Sequence, residues 1–171
     1  RVLQGGPLNL VFSGRLEPMK GALDLVSVAT KLREMSVPFT FDIFGDGSLK
    51  AEILDLIEAN GLSDNVHLQG AIDFETELVP MLRETADLFV CCHKQGDPSC
   101  TYIESNGCGL PIVGYDNAMW SELCKDSGSG WAVPMGRALE IAAQIRKLHE
   151  NREELVAHGS RALNYAKEHS F

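Results

Sequence analysis

Leu8-Asn9-Leu10-Val11-Phe12-Ser13, then Gly14-Arg15-Leu16-Glu17-Pro18-Met19-Lys20-Gly21, then Ala22 to Met35 with Leu23, Val26, Ala29 and Leu32 at helical spacing, read as a strand, a loop and a helix. The first run is short and almost continuously apolar, as a strand covered on both faces should be. Similar runs recur at Phe39 to Phe44, Val66 to Gln69, Leu88 to Cys92, Ile112 to Gly114 and Trp131 to Val133. Helical spacing fills the intervals: Leu49 to Asn60, Glu75 to Thr85, Thr101 to Cys108, Trp120 to Lys125 and Ala138 to Leu148. A last helix, Arg152 to Glu168, follows without a strand. Strict alternation requires right-handed crossovers, so the expected fold class is α/β, a doubly wound parallel sheet of about six strands with flanking helices.

Composition narrows the function. At 171 residues the chain fits one domain, residues 1–171, with 44% hydrophobic and 23% charged residues, ordinary for a globular protein. A formal charge of -9 argues against nucleic acid, whose binding needs clustered Lys and Arg. A small anion needs only a local pair of cations and a helix N-terminus. The five cysteines, Cys91, Cys92, Cys100, Cys108 and Cys124, are odd in number and lack C-x-x-C spacing, which disfavours a disulfide framework or a structural zinc. No apolar run is long enough to span a membrane and no signal peptide opens the chain. These features point to a reducing, cytoplasmic setting. The chain opens at Arg1 rather than Met, which reads as a fragment.

Ligands in open parallel sheets bind at the carboxyl ends of the strands, so the segments after strands carry the chemistry. Arg15 and Lys20 flank Pro18, which stiffens the loop and lowers the entropy lost in aiming two cations at one diphosphate. Solvated surface charge is the competing explanation. Asp97-Pro98-Ser99-Cys100-Thr101 precedes a helix whose first-turn amides attract anions, although Asp97, Ser99 or Thr101 could equally cap it. Glu104, one turn in, can accept from two ribose hydroxyls or can face water. Gly45-Asp46-Gly47-Ser48 resembles the start of a dinucleotide fingerprint, but Lys50 occupies the place of its third glycine. His93 ends the fourth strand, where an imidazole could contact substrate. No Asp-x-Asp occurs, so charge neutralisation falls to Arg15, Lys20 and backbone amides, with no metal or cofactor expected.

Together these segments resemble the C-terminal, donor-binding half of group 1 glycosyltransferases, family 4 of the retaining GT-B enzymes. The G-R-x-x-x-x-K-G motif stands as Gly14, Arg15, Lys20 and Gly21, and E-A-x-A-C-G-x-P-V-V stands as Glu104 to Val113. Gly45-Asp46-Gly47 matches the family's G-D-G, and Val66 to Gly70 its V-x-F-x-G segment. The resemblance implies a Rossmann-like half of a GT-B fold, with a UDP- or GDP-linked sugar as donor. It implies catalytic roles for Arg15, Lys20 and Glu104, and donor contacts from Gly14, Gly45, Gly70, Ala71, Asp97, Ser99, Cys100 and Thr101. It also implies an N-terminal acceptor domain, absent here, that would carry any membrane association, so this fragment alone should not transfer sugar. The family's first motif glutamate falls at Gly96, with Asp97 one position late. That departure keeps a non-catalytic nucleotide-sugar-binding module as the alternative. A dinucleotide-binding oxidoreductase ranks last, because the first strand lacks the glycine fingerprint.

Overall fold

The structure, a computed structural model, describes residues 1–96 and 100–169. Six strands, β1 (Leu8–Ser13), β2 (Phe39–Phe44), β3 (Val66–Gly70), β4 (Leu88–Cys91), β5 (Ile112–Tyr115) and β6 (Gly130–Val133), form one sheet in the order β3-β2-β1-β4-β5-β6. Every pairing is parallel. The helices are α1 (Ala22–Glu34), α2 (Lys50–Ala59), α3 (Val79–Glu84), α4 (Cys100–Gly107), α5 (Ala118–Ser127), α6 (Ala138–Glu150) and α7 (Arg152–Glu168). Strand order runs one way from β1 to β3 and the other way from β4 to β6. Right-handed crossovers therefore put α1 and α2 on one face of the sheet and α4 and α5 on the other. α1 packs against α2 and α6, while α4 and α5 pack against α7.

Burial follows position. All side chains of β4 and β5 are buried, whereas the edge strands β3 and β6 keep partly exposed residues. The central strands meet apolar layers on both sides, which is why their sequence reads as continuous runs rather than an alternation. Phe12, Phe41, Phe89, Tyr102 and Trp120 are among the largest fully buried side chains. Trp120 stacks on Tyr102 with centroids 5.2 Å apart and donates its indole N–H to the Trp131 carbonyl at 3.0 Å.

One helix departs from expectation. The segment expected as a single helix from Glu75 to Thr85 opens instead with a wide turn over Phe74–Leu78, capped by the Asp73 carboxylate accepting from the Thr76 amide at 2.8 Å, before α3 begins. Pro80 lacks the N–H that a regular helix would direct to the carbonyl four residues back, so the preceding turn loosens. α5 extends beyond its expected ends because the Asn117 side chain accepts from the Trp120 amide at 2.9 Å and Gly128 closes the helix in the left-handed region. No helix of the described residues is long and apolar enough to cross a membrane.

Candidate functional site

Strand order reverses between β1 and β4, and at such a switch point the two following loops diverge to opposite faces and leave a crevice. The loop after β1 carries Arg15 and Lys20. The loop after β4 runs into α4 and Glu104. Both lips come from segments singled out in the sequence.

Beside the crevice, the ends of β1, β2 and β3 are knitted backbone to backbone. The Gly14 amide donates to Phe44 O at 3.0 Å and the Gly45 amide to Gly70 O at 2.8 Å. Gly45 holds φ at 132°, and a Cβ there would lie 1.8 Å from Gly14 O, so only glycine permits this approach. The result is a cleft of about 290 Å³ lined by Gly14, Arg15, Gly45, Asp46, Ala71 and Ile72 among others. Gly14, Gly45 and Ala71 add little side chain to that lining, which lets a flat ring lie close to the chain.

Arg15 projects into solvent with 73% of its side chain exposed and pairs with Glu17 at 3.3 Å. Glu17 in turn accepts from the Ser48 amide at 3.0 Å and from the Ser48 hydroxyl, tying the first loop to the second. Those Ser48 hydrogen bonds, more than the guanidinium, hold the Glu17 carboxyl below the ordinary range, so the tie survives to lower pH than an ordinary glutamate would allow. An exposed pair of this kind contributes little, and a phosphate can draw Arg15 from it. Lys20 ends the short turn Pro18–Lys20 and makes no ion pair among the described residues. Gly21, at φ 64°, closes that turn and starts α1; a Cβ there would sit 1.8 Å from Cys92 O. That contact draws the Lys20 turn against the end of β4.

On the opposite lip, α4 begins at Cys100, which is exposed, with Thr101 half-buried behind it. Asp97 and Ser99, also expected at the donor, lie outside the described residues. Glu104 is half-buried and burial raises its carboxyl above the ordinary range. His93, which could have stood open at the end of its strand, is buried: it is 3% exposed, edge-on to Phe12 and Tyr102 with centroids 5.9 and 5.8 Å away. Burial likewise lifts the Cys91 thiol to about 11 and raises the Cys92 thiol well above its ordinary value, which makes both small hydrophobes rather than nucleophiles.

Asn117 is a supporting residue that the sequence reading passed over. Buried at 4% exposure, its amide nitrogen donates to His93 O at 2.9 Å and to Tyr102 Oη at 3.0 Å, while its oxygen caps α5. It therefore ties the end of β4 to the helix that bears Glu104. Only its position just before a helix hinted at a role, since Asn is a preferred cap.

Residues 2–165 match the family model described as Glycosyl transferases group 1. The alpha-D-kanosaminyltransferase of Streptomyces kanamyceticus is 26% identical over 160 residues, covering 92% of this chain but 41% of that protein. The amylovoran biosynthesis glycosyltransferase AmsK of Erwinia amylovora is 29% identical, over 88% of this chain and 38% of its own length. The chain thus spans about two fifths of these relatives. Among solved structures, an S. aureus TarM mutant in complex with Fondaparinux, alpha-GlcNAc-glycerol and UDP superposes at TM-score 0.85 and 24% identity, over 98% of this chain and 33% of that one. Anabaena Alr3699/HepE in complex with UDP and glucose superposes at 0.79 and 21% identity, over 95% and 44%. Both share the six-stranded Rossmann-like fold of a GT-B domain.

Proposed function

Because this chain belongs to the group 1 glycosyltransferases, we propose that it is the donor-binding half of a retaining enzyme that transfers a sugar from a nucleotide diphosphate sugar. The observation that carries this reading is the placement of the Arg15–Lys20 loop at the switch point, beside a cleft lined by Gly14, Gly45 and Ala71. In it, Gly14, Gly45, Gly70 and Ala71 receive the nucleoside, and Arg15 and Lys20 receive the diphosphate. Cys100 and Thr101 at the start of α4 contribute further donor contacts, a role the sequence assigns to Asp97 and Ser99 as well. Glu104 accepts from the ribose hydroxyls. As the glycosidic bond breaks, charge grows on the departing diphosphate, and fixed cations aimed at it lower the barrier; removing one such partner costs roughly 2.7 to 4 kcal/mol. The acceptor is held by an N-terminal domain of the same polypeptide, so this half alone binds donor without sustained transfer. UDP in the solved neighbours favours a UDP-linked donor over a GDP-linked one. A non-catalytic nucleotide-sugar-binding module is the second reading, favoured by Gly96 standing where the family has its first glutamate.

Calorimetry with UDP, GDP and ADP tests the donor site. The chain binds one nucleoside diphosphate at about 10 μM to 1 mM, or roughly -4 to -7 kcal/mol, because half a cleft supplies half the contacts. EDTA leaves that affinity unchanged, since cations and amides neutralise the phosphates. A strict magnesium requirement would remove the role given to Arg15 and Lys20.

Glu104→Gln weakens ribonucleotide binding more than 2′-deoxyribonucleotide binding, by about 1.5 to 3 kcal/mol, because an amide accepts through one oxygen only. Acidification mimics it. The ionised carboxylate is the accepting form, so ribose binding holds above the Glu104 pKa and is lost as pH falls through it. Burial raises that pKa, so the loss starts at higher pH than for an ordinary glutamate. Stability moves oppositely, because a buried carboxylate is relieved on protonation. Equal losses for both nucleotides, or a flat pH profile, would exclude Glu104 from the ribose.

A further inference from the structure

Tyr115 ends β5 as a fully buried tyrosine, on a strand whose other residues, Ile112, Val113 and Gly114, carry no polar side chain. A buried phenol needs a hydrogen-bond partner. Its hydroxyl crosses the end of β4 to donate to Asp24 Oδ2 at 2.6 Å. Asp24 lies in the first turn of α1, about one turn past Lys20. Its second oxygen is 3.6 Å from Lys94 Nζ, and the Lys94 amide donates back to Met19 O at 3.0 Å. A ring closes at the switch point, from Met19 through Lys20 and Gly21 to Asp24, across the ion pair to Lys94, and back through the Lys94 amide to Met19, with Tyr115 anchoring Asp24 from outside it. Inside it Gly21 is pressed on the Cys92 carbonyl.

We propose that Asp24 and Tyr115 are positioning residues for the donor diphosphate: they hold the first turn of α1, and with it Lys20, against the loop that follows β4. This rests on the reading of Lys20 as a phosphate cation. The sign of one substitution separates positioning from simple electrostatics. Asp24 is a negative charge close to an anion site, so acting through charge alone its removal would strengthen diphosphate binding. Acting through geometry, its removal weakens binding despite the gain in positive potential. Neutralising it while keeping an acceptor for Tyr115 leaves the geometry in place.

The test is calorimetry of UDP and of uridine on the chain and three variants, with thermal unfolding of each. Asp24→Ala and Tyr115→Phe lower UDP affinity about three- to tenfold, the worth of one hydrogen bond, and leave uridine affinity unchanged. Asp24→Asn, whose side-chain oxygen still accepts from Tyr115, keeps UDP affinity at or above that of the unmodified chain. If Tyr115→Phe unfolds, the Asp24 pair carries the result alone. The proposal is overturned if Asp24→Ala raises UDP affinity, or if UDP and uridine fall together. Failure of the unmodified chain to bind UDP, or indifference of binding to Lys20→Ala, would overturn the donor-site reading underneath it. Normal binding with a Lys20 effect, but no response to Asp24→Ala, would overturn only this proposal.

Discussion

Gly21→Ala lowers the unfolding free energy by about 2 to 5 kcal/mol, combining the left-handed penalty of a non-glycine residue with overpacking against a rigid neighbour. Gly21 sits at φ 64°, and the added Cβ would meet Cys92 O at 1.8 Å. The obstacle is backbone of a central strand's end, which cannot swing aside as a flexible side chain would. Gly136 supplies the control. Its φ is 76°, but nothing lies within 4 Å of a Cβ built there, so Gly136→Ala bears the conformational penalty alone. Thermal unfolding of the two variants reads the difference at roughly 2 to 4 °C per kcal/mol for a chain of this size. Diphosphate binding weakens with Gly21→Ala about as much as with Lys20→Ala, because Lys20 is displaced. Equal melting points for the two variants would show that the loop relaxes around the clash.

Arg15→Ala and Lys20→Ala each weaken UDP binding by about 1.5 to 3 kcal/mol, roughly ten- to a hundredfold, as charge-assisted hydrogen bonds to phosphate are lost. Uridine affinity stays constant, since neither cation is assigned to the nucleoside. The melting point should not move for Arg15→Ala, whose side chain is 73% exposed and, among the described residues, forms an ion pair with Glu17 alone. Calorimetric titration with UDP and uridine reads both quantities on one preparation. A parallel fall in both affinities would make the two residues supports of the fold instead.

The strands were legible because each is short, apolar and followed by a helix with its own periodicity. A buried parallel strand leaves that mark whatever the rest of the chain does. The broken start of α3 was less legible. Its apolar spacing is helical throughout, and the effect of Pro80 on the turn before it is a backbone matter that periodicity does not register. His93 was ambiguous for a related reason. A side chain at the end of a strand can be open or buried, and its burial here involves Phe12 and Tyr102, distant in sequence from each other, which pack edge-on against its ring.

Residue order was enough to specify the alternation of strands and helices, the Arg15–Lys20 loop after the first strand and the glutamate one turn into α4, because each rests on neighbours along the chain. The reversal between β1 and β4, the closeness of Gly21 to Cys92, and the links through Asn117 and from Tyr115 to Asp24 emerge once the sheet is assembled. These contacts join residues as many as 91 positions apart. Long-range pairs leave no periodic trace in one sequence, since nothing local constrains which distant side chain will supply the partner that a buried hydroxyl or amide must have.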